Sequence, residues 1–463
     1  MNAAFAEYIG VNALGHLQVE ELDCVDLANT YGTPLYVTSE NQIRHNYRRF
    51  FRAFADRYPK VTVLFANKAN SNLAVRRILS QEGAGGDCFG VGELSVSLMG
   101  GVPPEKLVMN GGNKTLEEIT AAIQVGVAIN IDHPEELERV NEVARDLGLN
   151  ATVNLRVLPF SYADVSTLSD DLASIARDRS HDKWGMDRPT ILEVTPRALA
   201  LPNVTLRGLH CHVSRLRSTT EHFQLAVRLM IQCMAELKER FGWEAETIDL
   251  GGGFAHERDP EGRAAPEGRL VATPEEYADV IVGALRDGLA RHGLREPHLY
   301  LEPGRRIVSN STVLLGRVGI VKQLPTGSAT WVNVDASTNH CLRANLAGYH
   351  YRIINASRAG AADEMRANVT GPTCTIDMIG EQRSLPRTRR GDLIAVLDTG
   401  GYAEVVGMQF NTLARPATVL VSGSRADIIR RRETVQDILA TQQVPPRLMV
   451  ASTMPEGVAT AVN

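Results

Sequence analysis

The stretch VTVLFANKA, residues 61–69, is an apolar, β-branched run that ends on an amine. A short run with almost no polar interruption predicts a strand buried on both faces, the kind found in parallel sheets. Just before it lies SENQIRHNYRRFFRAFADRY, with Ser39 placed as an N-cap and apolar residues recurring at three and four, which predicts a helix. Seven similar runs follow: GGDCFGV (85–91), LVMNGG (107–112), AINID (128–132), TVNLRVLP (152–159), LRGLHCHVS (206–214), ETIDLGGG (246–253) and HLYLEPGR (298–305). Helical patterns such as TLEEITAAIQVG and HPEELERVNEVARDLG separate them. Eight strand–helix alternations within about 250 residues predict an α/β fold of the (β/α)8 barrel type over residues 39–310, rather than an open doubly wound sheet.

Beyond residue 310 the rhythm changes. STVLLGRVGIVKQL, ATWVNVDAS, DLIAVLDTG and PATVLVSG are strand-like runs joined by turns, which predicts a second, all-β domain over residues 311–425. The strand-like pieces of residues 1–38 are assigned to the same domain. RADIIRRRETVQDILA predicts a helix opening a C-terminal segment, 426–463. Two long polar connections, 160–187 and 254–270, are expected at barrel strand ends, where substrate-facing loops occur.

Composition narrows the function classes. The chain has 463 residues, 44% hydrophobic and 22% charged, with a net charge of −5, so it offers no basic face for nucleic acid and no polybasic membrane patch. No run approaches the roughly 18 apolar residues of a spanning helix, and the opening MNAAFAEYIG has no signal-peptide pattern, so the expected location is the cytoplasm, with no membrane partner. Six cysteines without a CxxC pair argue for free thiols and against a structural metal site.

Barrel enzymes keep their chemistry at the C-terminal ends of the strands. Those ends carry Lys68, Asp87, Arg156, His212, the Gly251–Gly252–Gly253 turn, Glu302 and Arg305. An amine ending an apolar strand is a Schiff-base former or a snorkelling lysine. A glycine turn after the seventh strand exposes backbone N–H groups that suit a phosphate. A carboxylate on the eighth strand pairs either with a heterocyclic cation or with its neighbouring arginines. Together with an imidazole, these groups describe a site for pyridoxal 5'-phosphate, which needs a lysine for its aldehyde, donors for its phosphate and an acid for its ring nitrogen.

FANKAN, GLHCHV, IDLGGGF, LEPGRR, GPTC and DTGGY occur in the order found in the fold-type III pyridoxal-phosphate decarboxylases, and residues 30–440 resemble the diaminopimelate decarboxylase branch of the diaminopimelate/ornithine decarboxylase family. The resemblance implies that Lys68 holds the cofactor, that His212 stacks on its ring and that Glu302 meets the ring nitrogen. It further implies that Asp87, Arg156, Ser214, Gly251 to Gly253, Gly304, Arg305 and Tyr402 complete the cofactor site. Cys374 would reach into the barrel of a second copy, so that a homodimer shares its active sites, and Arg343 would grip a substrate carboxylate. The implied reaction is loss of an α-carboxylate as CO2, with Cys374 or Lys68 returning the proton.

The departures fall on the substrate side. Thr375 stands where the resembled family has a carboxylate, Asp377 is a nearby substitute, Ala347 replaces a tyrosine and Arg215 takes the place of a serine. An ammonium buried without a carboxylate is costly. This pattern leads to the expectation of an acidic amino acid or conjugate without a free distal amine, bound by Arg343, Arg215, Thr375 and Asp377. Examples are a citryl-diaminopropionate or a carrier-linked glutamyl group in siderophore or antibiotic synthesis. The alternatives are meso-diaminopimelate decarboxylation, racemase or lyase chemistry on the same scaffold, and a catalytically silent cofactor-binding regulator.

Overall fold

The computed structural model describes residues 5–179, 182–213, 220–256, 271–324, 329–341, 344 and 350–448. The chain divides into two compact units. One comprises the described residues of Ile43–Val308, the other those of Met1–Gln42 with Ser309–Asn463.

In the first unit, among the described residues, eight parallel strands close into a barrel: β1 (Val61–Ala66), β2 (Gly85–Phe89), β3 (Leu107–Asn110), β4 (Ala128–Ile131), β5 (Ala151–Arg156), β6 (Val204–His210), β7 (Thr247–Asp249) and β8 (His298–Leu301). Each strand pairs with its sequence neighbours, and β8 closes on β1 through Leu299 opposite Val61. All eight sequence-predicted strands are present. Their helices start where the sequence supplies caps. Thr115 and Thr273 form capping boxes with Glu118 and Glu276, each hydroxyl accepting from the N3 amide while the glutamate accepts from the cap amide.

The polar segment 160–187 is neither an open loop nor a separate domain. It leaves β5, forms the helix Asp170–Arg179, and returns beside the end of β5, where Leu158 N–H donates to Met186 O at 2.8 Å and Met186 N–H to Arg156 O at 2.8 Å. This return lays Trp184 against Phe89, with ring centroids 5.9 Å apart. Residues 257–270 of the second polar connection lie outside the described residues.

The second unit is built on the long strand Thr312–Gln323. It pairs antiparallel with Leu35–Ser39, Thr330–Val334 and Leu393–Val396, so an N-terminal strand is an integral part of the sheet. Ser39 caps the helix Glu40–Ala55 as expected, its hydroxyl accepting from Gln42 N–H at 3.0 Å. One expectation is corrected: the residues from 426 onward do not begin as a helix. Arg425–Arg430 is a strand antiparallel to Ala417–Ser422, and among the described residues the α-helical part is Val435–Leu439. Arg431 and Arg432 follow a run whose partner strand lies two residues away across a turn at Gly423, and ladder pairing outweighed the helical periodicity of the isolated segment.

Gly208, on β6, faces both Asn154 of β5 and Thr247 of β7, and a Cβ there would lie 1.9 Å from Thr247 Oγ1 and 2.4 Å from its carbonyl oxygen. The backbone leaves little room for relief. Gly208→Ala is therefore expected to lower the unfolding free energy by about 3 kcal/mol, measured by urea denaturation; a variant as stable as wild type would contradict this packing.

Candidate active site

The C-terminal ends of the barrel strands bring together most of the sequence-predicted groups. Lys68 sits in a 3-10 turn directly after β1, its Nζ bonded to Asp87 Oδ2 and 4.8 Å from the centroid of the Phe89 ring. Asp87 is fully buried on β2. Its other oxygen accepts from Asn110 Nδ2 at 2.7 Å, and the same amide nitrogen donates to Glu302 Oε1 at 2.8 Å. Glu302, 2% exposed, follows β8 and donates its N–H to Gly251 O at 2.9 Å.

The electrostatics of this cluster are dominated by burial. Removal from water raises the Asp87 carboxyl, the charge of Glu302 raises it further, and Lys68 and Asn110 oppose both. Asp249, buried at the end of β7, is pushed well above the ordinary carboxylate range by burial and then by Glu302. Glu93, on the helix after β2, is raised to about 7 by burial and the charge of Asp87. His210 Nε2 lies 3.7 Å from Glu302 Oε1, and burial followed by Arg156 drives that imidazole well below its usual value, so it is neutral.

The glycine turn after β7 is sterically required. Gly251 has φ 66°, and a Cβ on it would lie 2.6 Å from Cys211 O and 2.8 Å from His212 Nδ1. A Cβ on Gly252 would lie 2.5 Å from Glu302 O. Gly252 N–H donates to His212 Nδ1 at 3.3 Å, which fixes the ring against the turn. Gly253 continues it, and Gly304 packs against Ala66 and Ala69, just before Arg305 opens the helix Arg305–Val308. Arg156, 6% exposed, places its guanidinium 5.0 Å from the Trp184 ring centroid and 3.6 Å from Asp132 Oδ1. An amine at a strand end, a cradle that any Cβ would fill, an imidazole on that cradle and a buried carboxylate form a donor set that fits pyridoxal phosphate.

Other predicted residues lie on the β unit. Cys374 is exposed, its N–H donating to Asn411 Oδ1 at 3.1 Å, and Tyr402 has φ 60°. Ser214, Arg215, Arg343 and Ala347 lie outside the described residues. Asp377 does not stand free as a substitute for the missing carboxylate, and here the expectation is corrected. Its oxygens accept from Thr338 N–H at 2.7 Å, Thr338 Oγ1 at 2.6 Å, Ser337 Oγ at 3.0 Å and Thr373 N–H at 2.9 Å. Asp377 thus ties the Cys374 loop to the segment 337–341. Thr375 is exposed, with Oγ1 3.0 Å from Thr373 Oγ1, and the neighbouring Ile376 is 76% exposed.

Sequence reasoning passed over Asn110, Asn130, Asn154, His210 and Asp249. The available signal was an asparagine set into or ending an otherwise apolar run, as in LVMN, AINI and VNL. Trp184 was also missed, since nothing in HDKWGMD tells that the segment returns to β5.

Residues 41–309 match the family model described as the pyridoxal-binding domain of the pyridoxal-dependent decarboxylases. A diaminopimelate decarboxylase of Methanothermobacter thermautotrophicus is 36% identical over 442 residues, covering 95% of this chain and 99% of the relative. That of Vibrio cholerae is 32% identical over 443 residues, covering 95% and 100%. The crystal structure of diaminopimelate decarboxylase from M. jannaschii with L-lysine superposes with a TM-score of 0.87 at 31% identity, covering 96% of this chain and 99% of that one. These relatives overturn the expectation of an acidic, conjugated substrate from siderophore or antibiotic synthesis.

Several donors hold the Asp377 carboxyl below its ordinary value of 3.8 despite burial, which raises it. Its stabilising contribution is therefore present above pH 4 and is lost as pH falls through the lowered value. Asp377→Ala is expected to cost about 2–4 kcal/mol at pH 7, with the difference from wild type shrinking below pH 4, as followed by urea unfolding across that range.

Proposed function

Since the chain belongs to the fold-type III pyridoxal-dependent decarboxylases, in the diaminopimelate decarboxylase branch, and is a carboxy-lyase that uses pyridoxal phosphate, we propose that its substrate is meso-diaminopimelate and its product lysine. The observation that most supports this reading is full-length identity of 36% to a diaminopimelate decarboxylase. The barrel-mouth groups agree with it chemically. Bound there, pyridoxal phosphate supplies a ring that accepts the electron pair left when a carboxylate departs. Lys68 supplies the amine that holds the aldehyde. His212, fixed by Gly252, supplies an aromatic face, and Glu302 supplies the charge that keeps the ring nitrogen protonated. Gly251 to Gly253, Gly304 and Arg305 serve the phosphate, with Asp87 hydrogen-bonded to Lys68.

The proton returned to the α-carbon comes from Lys68 Nζ or Cys374 Sγ. We propose that Cys374 acts in a second copy of the chain. An exposed thiol beside an exposed isoleucine, Ile376, is unsuited to solvent but suited to an interface.

Two outcomes follow. Purified enzyme releases CO2 from meso-diaminopimelate with a kcat on the order of 1–100 s⁻¹; turnover of ornithine or lysine with none of diaminopimelate would reject the substrate. Co-expressed Lys68→Ala and Cys374→Ala chains, each nearly inactive alone, recover about a quarter of wild-type activity, since half the dimers are mixed and each of these has one intact site. No recovery would place both residues in one chain's site.

A further inference from the structure

A line of buried side chains crosses the barrel interior from β7 to β2 and β8. Thr247 Oγ1 donates to Asn154 Oδ1 at 3.2 Å, Asn154 Nδ2 to Asn130 Oδ1 at 2.8 Å, and Asn130 Nδ2 to Asn110 Oδ1 at 2.9 Å. Asn110 then spends both amide protons, one on Asp87 and one on Glu302. The direction of this chain is imposed from its end. Ionised carboxylates only accept, so Asn110 must turn its NH2 to them and its carbonyl to Asn130. Asn130 must then present its own NH2, and so must Asn154. Reversing any one amide sets two acceptors face to face.

The backbone makes room for it. Asn130 and Asn154 are register partners on adjacent strands. Asn154 and Thr247, however, lie on strands separated by β6, and they meet only because Gly208 between them has no side chain.

We propose that Thr247, Asn154, Asn130 and Asn110 form one positioning relay, which holds the carboxylates of Asp87 and Glu302 aimed for the cofactor. The inference rests on the pyridoxal-phosphate assignment and extends it to residues up to four strands from Glu302. The need for such a device is electrostatic. Asp87, Asp249 and Glu302 crowd one buried space, with Glu93 behind Asp87. The facing cations are Lys68, Arg156 and Lys114, while His210 is neutral. Asp249 Oδ2 and both His210 ring nitrogens make no hydrogen bond among the described residues. Burial and the charge of Glu302 favour the protonated form of Asp87, whereas the Asn110 amide, polarised by the amides behind it, favours the charged one.

The test uses the holoenzyme and two near-isosteric variants, Asn130→Leu, which cuts the relay in the middle, and Thr247→Val, which removes its first donor. Cofactor affinity is measured against pH from the visible absorbance of the bound cofactor, and circular dichroism reports the fold. The relay predicts that the acid-side midpoint of cofactor retention rises by about one pH unit in Asn130→Leu and by less, in the same direction, in Thr247→Val. Midpoints equal to wild type in folded variants would overturn the relay, because a merely structural role lowers stability without moving them. Should Asn130→Leu fail to fold, Thr247→Val alone decides. A wild type that takes up no cofactor would overturn the cofactor assignment and the relay with it.

Discussion

One amide group holds the polar heart of this barrel together. Asn110 Nδ2 lies 2.7 Å from a carboxylate oxygen of Asp87 and 2.8 Å from one of Glu302, bridging strand ends that are not adjacent in the sheet. Two buried carboxylates brought this close repel each other, and burial leaves that repulsion little screened. The amide offers each a proton, and Lys68 offers Asp87 a full positive charge. Lys68, in turn, is held at the end of its strand by that pairing. Remove the clamp and the two acids lose their shared donor, and the amine's partner is no longer fixed.

The surrounding architecture can be understood as what such a cluster requires. Strands that are apolar for most of their length bury the site from below, and the few buried polar side chains among them are hydrogen-bonded to one another. Glycines appear where backbones or side chains must meet closely: at Gly208, so that residues two strands apart can touch, and at Gly251 and Gly252, so that the turn after β7 can fold under His212. The segment after β5 returns to place Trp184 between the Arg156 guanidinium and the edge of Phe89, continuing an aromatic wall up to Lys68. On the other unit, Asp377 plays a comparable part, gathering donors from two segments so that the Cys374 loop has a defined shape.

Much of this was legible before any coordinates. VTVLFANKA and its seven counterparts specify a barrel because buried parallel strands leave an unmistakable apolar signature, and Lys68, Glu302 and the glycine turn stand out as polar or flexible interruptions of it. The asparagines did not, since a single amide in a short apolar run reads as an isolated polar residue with no stated partner. Only the closed register shows that Asn110, Asn130 and Asn154 point at one another. The run from 426 misled because a helical period was read where a partner strand lay two residues upstream. The substrate misled for a different reason: the lost carboxylate at Thr375 was weighed as though one position defined the far end of the site, and a single residue's identity does not define a substrate.

The central claim is that a single lysine, fixed by Asp87 at the end of β1, carries the cofactor's aldehyde. Borohydride reduction of the cofactor-loaded protein, followed by proteolysis and mass spectrometry of the peptides, tests it directly. The account predicts one pyridoxyl-modified peptide, carrying the label on Lys68. Label on Lys114, a buried lysine of the barrel, or no stable label at all, would contradict it.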